Sequence, residues 1–434
     1  MKIRWIQQPN SSIQFNGKVL KEYKLQVGQE IILNYGTVKL TKIIEENSNL
    51  EECEVGIDPF ISNEFSLPRD ALYEIALKEN QIHIGPLISI LVSNQSSFIT
   101  PNRLELLKER LYFYKKVKGV IFVTSQDLID FERKNCKGYY YTEKGEWIEE
   151  RFPLPSVIVN RTFIKKDKYD LLIKEGTKIV NNCRMTKNKL WELLYKTKVR
   201  HYLPYTRRLR NIDSLIETFK TYDSVYLKPT NLSRGNGIFK IVKTDVGFEV
   251  QTKRKEIMNV SSKSELGQIL KKLTKRRKYL IQQDVSYKEV EKRMVDFRVY
   301  LQKDSTRNWN CSGIICRVSM PGCVVSNLKY TEKVLSYHDA SRFIFGFTIN
   351  EEKTIEHEII EACRAVCREL KSKKQIIGDV ALDVAVDSNL KVWILEVQIN
   401  YAVDERLYNI PEAIYRKVWT TPIEYAKALS EFNN

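Results

Sequence analysis

The chain has 434 residues, with 71 Lys and Arg against 54 Asp and Glu and a formal net charge of +17. Its 43% hydrophobic and 29% charged residues, with only 17 Gly and 12 Pro, are the makeup of a globular protein of roughly two to four domains. Disordered, collagen-like and membrane chains are excluded, and the charge favours an anionic partner such as a nucleotide, an acidic polymer, a nucleic acid or a surface without choosing among them.

The opening residues MKIRWIQQPNSSIQF lack the apolar stretch of a signal peptide, and no run reaches bilayer length, so a cytoplasmic protein without a membrane segment is expected. The 8 Cys include no C-x-x-C pair and only 4 His could join them, which argues against zinc. Cys363 and Cys367, four apart on an expected helix, suit small buried side chains.

Residues 1–78 carry short alternating runs (EIILNYGTVKLTKI, ECEVGI) and a short helical pattern after Leu67-Pro68, and read as a small β-rich domain. Residues 79–180 follow with IHIGPLISILVS as one buried strand, RLELLKERLYFYKKV as a helix, GVIFVTS as a strand and LPSVIVN as a third strand after a Gly-rich, aromatic turn region. That order is a βαβ unit with a partly parallel sheet. Tyr139 to Tyr141 and Trp147 are read as packing or an exposed loop and not as a base-stacking platform. From 181 to 434 an α+β region has helices near 187–197, 261–274, 354–371 and 411–430, with Trp191 and Trp393 as core candidates. The run KKLTKRRK (Lys271 to Lys278) is a solvated helix end or a polyanion contact.

Two segments carry chemistry. In SVYLKPTNLSRGNGIFKIV a β-rich segment ends at Lys228, and a loop with Ser233, Arg234, Gly235 and Gly237 leads to a second β-rich segment. Small residues let backbone N–H groups approach phosphate oxygens, and the Lys at the root supplies charge; no G-x-x-x-x-G-K-[ST] is present. In GDVALDVAVDSNLKVWILEVQIN two strands meet at Asp387-Ser388-Asn389. With Ser388 and Asn389 as the turn, Asp383 pairs with Ile394. Asp383, Ile394, Glu396, Gln398 and Asn400 then share a face, while Trp393 and Leu395 join the apolar face. Asp383 and Glu396 become diagonal neighbours roughly 7 Å apart, able to converge on Mg²⁺.

These segments, together with MTKNKLWELL, HYLPYT, YLIQQDV, DFRVYLQKD, Arg317 and VVSNL in that order, resemble the YheC/YheD-like, endospore-associated group of ATP-grasp proteins. The resemblance implies an ATP-grasp fold over 181–434, two lobes hinged near 281–285, a pre-ATP-grasp α/β domain over 79–180 and the β-rich domain before it. It further implies ATP and Mg²⁺ as cofactors. Lys187 or Lys189 and Lys228 would reach phosphate with the Ser233, Gly235 and Gly237 loop, and Gln282, Gln283, Asp284 and Val285 would read adenine. Arg298 and Arg317 would offset charge in the reaction, and Asp383 and Glu396, with Gln398, would hold the metal. The reaction implied is ligation of a carboxylate to an amine through an acyl-phosphate. Two positions depart from the pattern: Gln398 stands where Asn is usual, and Leu328 is followed by Lys329-Tyr330-Thr331 where Gly-Gly is expected. A catalytically degenerate protein with a structural role beside spore-coat partners is therefore the alternative; a nucleic-acid binder rests on charge alone, and no RNA-binding motif supports it.

Overall fold

The computed structural model describes residues 1–432 except 8–11, 62–65, 79–80, 112–113, 183–186, 233–234, 253–255, 276, 286–292, 325–329, 371–375, 400 and 402–410. Short alternating segments in the first 85 residues pair into a seven-stranded mixed sheet, in the order Lys2–Trp5, Glu54–Ile57, Ile13–Phe15, Val38–Glu46, Glu30–Tyr35, Gln81–Gly85 and Glu74–Lys78. The stretch after Leu67-Pro68 is a turn leading to the Glu74–Lys78 strand, not a helix. The run from Gln81 to Ser93 is two strands rather than one: Gln81–Gly85 closes the first sheet, Leu87–Ser93 opens the second, and a cis Gly85-Pro86 bond lies between them. The boundary between the sheets therefore falls at Pro86 and not at 78. Proline lacks a ladder N–H, so a strand does not continue through it into the middle of a sheet.

The second sheet has a parallel centre of Val120–Ser125, Leu87–Ser93, Val157–Asn160 and Lys178–Val180. The first three of these are buried along nearly their whole length, as the continuous apolar runs IFV, LISILV and VIV require of strands covered on both faces. The expected aromatic turn region is instead an antiparallel hairpin of Asn135–Tyr141 and Trp147–Pro153, in which Tyr141 faces Trp147 with ring centroids 5.2 Å apart. The expected helix is also broken: Pro101–Leu107 is α-helical and Lys108–Leu111 tightens to a 3₁₀ turn. One face of this sheet shares a core with the first sheet through Phe122, Phe152, Leu154 and Ile158. The other face is covered by the Glu412–Leu429 helix through Tyr415, Trp419, Ile423 and Ala426.

Two further sheets form the lobes of the remaining chain. The small-lobe sheet runs Thr206–Arg208, Tyr279–Gln283, Ser224–Pro229, Phe239–Thr244, Gly247–Thr252 and Ile257–Val260, with the Ile212–Thr218 and Lys263–Thr274 helices on its apolar face. The large-lobe sheet is antiparallel in the order Thr331–Ser336, Trp309–Ser319, Val295–Lys303, Asp379–Val386 and Val392–Gln398. Its apolar face packs on the Ile349–Glu369 helix, where Cys363 and Cys367 are buried thiols as the spacing indicates. Trp191 and Trp393 are only half-buried, short of the core positions expected of them.

A buried polar staple joins the second sheet to the large lobe. Arg161, just past the Val157–Asn160 strand, donates to Asp379 Oδ2 at 2.6 Å and to the Tyr401 carbonyl at 2.7 Å. Gln302 Nε2 and the Tyr401 hydroxyl donate to the other oxygen of Asp379 at 2.8 and 2.5 Å. Breaking such a pair on one side leaves a buried charge without a partner. Asp379→Leu or Arg161→Met should each lower stability by about 3–5 kcal/mol, and the double replacement Arg161→Met with Asp379→Leu should cost less than the two singles together. Additive losses in denaturant unfolding would show that the charges are compensated elsewhere.

Candidate functional site

Period-two alternation in VDFRVYLQ sends Phe297, Val299 and Leu301 to the apolar face of the large-lobe sheet and Asp296, Arg298 and Tyr300 to the other. Cross-strand register sets Arg298 directly opposite Asp383, and Asp296 opposite Arg317. The result is a buried ladder of alternating charge. Arg317 donates to Asp296 at 2.9 and 2.5 Å and to Asp383 Oδ1 at 3.1 Å; Arg298 meets both oxygens of Asp383 at 3.0 and 3.2 Å. Burial opposes the charge on Asp383, but the two guanidiniums outweigh it and hold the carboxyl well below the usual carboxylate range.

The Asp383–Ile394 pairing expected from a two-residue turn is not what forms. Residues 387–391 make a longer turn in which the Asp387 N–H donates to Lys391 O at 3.1 Å and Leu390 has φ +63°. That register pairs Val384 with Ile394 and would by itself put Glu396 on the wrong face, but an irregularity at Leu395 takes up one residue, so Asp383 pairs directly with Glu396 and Ala381 with Gln398. Asp383, Glu396 and Gln398 thus share a face, with Asp383 and Glu396 directly opposed rather than diagonal neighbours. Ile394 moves to the apolar core, and Trp393 moves to the other face, where its indole N–H donates to Asp387 at 2.8 Å. Gln398 Nε2 donates to Asp383 Oδ2 at 3.2 Å.

The two lysine candidates separate. Lys187, first in the Lys187–Leu194 helix, lies 3.0 Å from Glu396 Oε1, whereas Lys189 is exposed on another face of that helix. From the small lobe, alternation in SVYLK places Tyr226 and Lys228 on the face opposite the apolar core. Burial first, and then Lys187, lowers the Lys228 ammonium to about 8, while Glu396 and Asp383 oppose the shift. That coupling spans the cleft: a small-lobe lysine senses both large-lobe carboxylates. Tyr226 also crosses it, packing with Val324, Ile238, Met294 and Tyr330, its hydroxyl 3.5 Å from the Met294 sulfur.

In the segment expected to act as a hinge, Gln282 donates to Thr206 Oγ1 at 3.2 Å and the Gln283 side chain accepts from Tyr205 N at 3.1 Å. The backbone N–H groups of Gln283 and Asp284 already bond the carbonyls of Tyr205 and Ser224, at 2.8 and 3.1 Å. They are therefore committed to joining this segment to Tyr205 and Ser224, and Val285 beyond them is buried. Asp284 accepts from Ser224 Oγ at 2.8 Å and from Lys240 Nζ at 2.9 Å. In the loop, Gly235 and Gly237 adopt φ +67° and +71°, and a Cβ on Gly237 would stand 2.8 Å from the Tyr279 hydroxyl. Ser233, Arg234, Asn400 and most of VVSNL lie outside the described residues.

Lys240, Tyr226 and Asp296 were missed in the sequence, although the signal was present: Asp296 is two residues before Arg298 on one strand, and Lys240 alternates with Phe239 and Ile241. Among the described residues no group of three or more Asp, Glu, His or Cys gathers. Asp383, Glu396 and Gln398 could hold a hard divalent ion, two carboxylates and a carboxamide being a set that fits Mg²⁺ when phosphate and water complete its shell.

Residues 176–429 match the family described as YheC/D like ATP-grasp. The chain is 25% identical over 396 residues to the endospore coat-associated protein YheD of Bacillus subtilis (strain 168), covering 85% of this chain and 84% of that one. It is 18% identical over 303 residues to YheC of the same organism, covering 67% and 82%. Among solved structures it is similar to the VanG D-Ala:D-Ser ligase from Enterococcus faecalis, at 11% identity and a TM-score of 0.46 over 77% of this chain and 97% of that one. It is also similar to D-alanyl-alanine synthetase A from Vibrio cholerae, at 11% identity and a TM-score of 0.43 over 77% and 98%. The family match spans more than half of the residues, including both charged sheet faces and the Gln282–Val285 segment: the chain belongs to the YheC/D-like ATP-grasp family.

Proposed function

We propose that the protein is an ATP- and Mg²⁺-dependent carboxylate–amine ligase. The observation that carries this reading is the convergence of Lys187, Lys228, Arg298 and Arg317, from both lobes, on the Asp383–Glu396 pair. The cations outnumber the carboxylates there, even with Asp296 counted, so the site favours an anion while still presenting carboxylates to a metal. A magnesium–triphosphate offers both signs, and its phosphates can take the arginines and lysines as the carboxylates take the metal.

In the proposed reaction a carboxylate oxygen of the substrate forms a bond to the γ-phosphorus as the bond to the β-phosphate oxygen breaks, releasing ADP. An amine then attacks the acyl carbon, phosphate leaves, and the amine gives up a proton. Lys228 and Lys187 would hold phosphate oxygens, and Arg298 and Arg317 would stabilise charge on the transferred group. Asp383, Glu396 and Gln398 would hold Mg²⁺, which would supply charge neutralisation to the phosphates. Tyr226, Ile238, Met294 and Val324 pack together as a small apolar cluster against which an adenine ring would lie.

The second reading is a nucleotide binder without turnover that serves in spore assembly, in keeping with the coat-associated names of the relatives. The state of Asp383 favours it: both its oxygens are occupied by Arg298, Arg317 and Gln398, so a metal must displace these contacts.

Three measurements follow from the site. Saturating Mg·ATP should raise the melting temperature, since a ligand at 100 times its Kd adds about 2.7 kcal/mol to native stability. Lys228→Met should remove most of that shift with the fold intact, and no shift in the wild type would rule out nucleotide binding here. The Lys228 ammonium has a value near 8 in the folded protein against its ordinary 10.5, so it is protonated in both states below pH 8 and only in the unfolded chain between the two values. Stability without ligand should therefore gain from raising the pH across that window, while nucleotide affinity should fall from about pH 8 upward. Lys228→Arg should flatten the affinity profile, and a wild-type profile already flat from pH 7 to 10 would remove Lys228 from the phosphate site. Finally, Gln398→Asn should leave ATP affinity nearly unchanged and alter the magnesium dependence of ATP consumption if the protein turns over; identical near-zero curves for both forms would favour the second reading.

A further inference from the structure

The excess positive charge is not spread along the chain. Residues 181–285 hold 24 Lys and Arg against 9 Asp and Glu, whereas residues 286–434 hold 21 of each and residues 1–85 hold 9 against 12. The structure gathers part of this excess at one end of the small-lobe sheet. Lys271 and Lys272 lie in the last turn of the Lys263–Thr274 helix, Lys275 caps it in a left-handed conformation, and Arg277 and Lys278 lead into the Tyr279–Gln283 strand. The Leu209 N–H bonds Tyr279 O at 2.9 Å and the Thr230 N–H bonds Lys278 O at 3.0 Å. Lys278 is therefore flanked on one side by Arg210 and on the other by the loop that carries Gly235 and Gly237.

All six of these cations are exposed, and none has a carboxylate partner among the described residues. The contrast with their neighbours is sharp: Lys263 on the same helix pairs with Asp213 at 2.5 Å, Arg208 with Glu192 at 2.5 Å and Arg207 with Glu217 at 2.9 Å. Like charges crowded within a Debye length of about 10 Å repel one another and attract a flexible anion carrying several charges. Among the described residues no exposed aromatic side chain stands with the six, so the described rim offers no platform on which bases would stack. Four of the six are lysines, whose mobile point charges suit scattered carboxylates better than a rigid phosphate register.

We propose that this basic rim is a docking site for an acidic polypeptide, held beside the phosphate loop at the mouth of the nucleotide cleft. That the docked chain is the substrate rests on the ligase reading; the docking itself does not.

Poly-L-glutamate is the probe, followed by fluorescence anisotropy at low and moderate salt, with the Mg·ATP melting shift recorded for every form. The expected result is wild-type binding that weakens with salt and is at least about tenfold weaker in a variant combining Lys271→Glu, Lys275→Glu, Arg277→Glu and Lys278→Glu. A second variant with Gln at the same positions, expected to show an intermediate loss, guards against a folding defect in the first. An unchanged nucleotide shift in both variants would separate the rim from the nucleotide site. Equal binding by wild type and both variants, or no binding by any form, overturns the proposal. Single-stranded DNA of matched charge binding more tightly than poly-L-glutamate overturns it in favour of a nucleic acid. Failure of Mg·ATP alone to shift melting would overturn the ligase reading and leave the docking result standing.

Discussion

The structure around the cleft depends on one buried row of charges. Arg317 is almost wholly enclosed, and its guanidinium is divided between Asp296 and Asp383. Arg298 closes the row on the other side of Asp383. Buried ion pairs are weak evidence for stability, because desolvation consumes most of the attraction. Their geometric demand is strict, however. Each carboxylate must lie within hydrogen-bond reach of a particular guanidinium, so the register of three strands is pinned to a single residue. The irregularity at Leu395 is the local accommodation that brings Glu396 onto the same face as that row.

From that row the electrostatics propagate outward through side chains that are only partly enclosed. Glu396 draws Lys187 from the neighbouring helix, and both large-lobe carboxylates act on Lys228 from across the cleft. On the opposing sheet, the Lys228 and Lys240 ammoniums lie 5.6 and 5.9 Å from the Tyr226 ring centroid, close enough for an attractive contact with its face. Asp284 pairs with Lys240, so displacing that lysine would also alter the contacts of the segment that follows the Tyr279–Gln283 strand. A charged group bound between the two sheets therefore meets contacts that belong to both of them.

Much of this could be read from the sequence, for physical reasons that differ by element. The carboxylate hairpin was legible because an apolar strand face is a strong constraint, and Asp383 interrupts a run whose other positions must be buried. Its register was not, since the turn conformation of Leu390 and the irregularity at Leu395 are backbone choices that side-chain alternation does not record. The strands at Gly85-Pro86 merged in the sequence because both sides are equally apolar, with proline the sole mark of a break. The Tyr139–Trp147 region looked like a loop because glycine and charged residues dilute the pattern of a strand that has one face in solvent. Lys187 and Lys189 were inseparable by residue type; helix geometry, which points i and i+2 in different directions, divides them. The Arg161–Asp379 staple joins residues more than two hundred positions apart and leaves no local signature at either end.

The Glu412–Leu429 helix has a consequence for how the chain is made. It covers one face of the parallel sheet, on which Ile88, Ile90, Val157 and Val159 are buried against Tyr415, Trp419 and Ile423. Translation at about 5–20 residues per second puts roughly ten seconds to most of a minute between completion of that sheet and emergence of its cover. The shared core of the first two sheets has no such wait, since Phe122, Phe152 and Ile158 meet partners already synthesised. The nascent protein thus passes through an interval in which one side of the parallel sheet is finished and the other is an uncovered apolar surface, the period when it most needs a chaperone and when crowding by sister chains does the most harm.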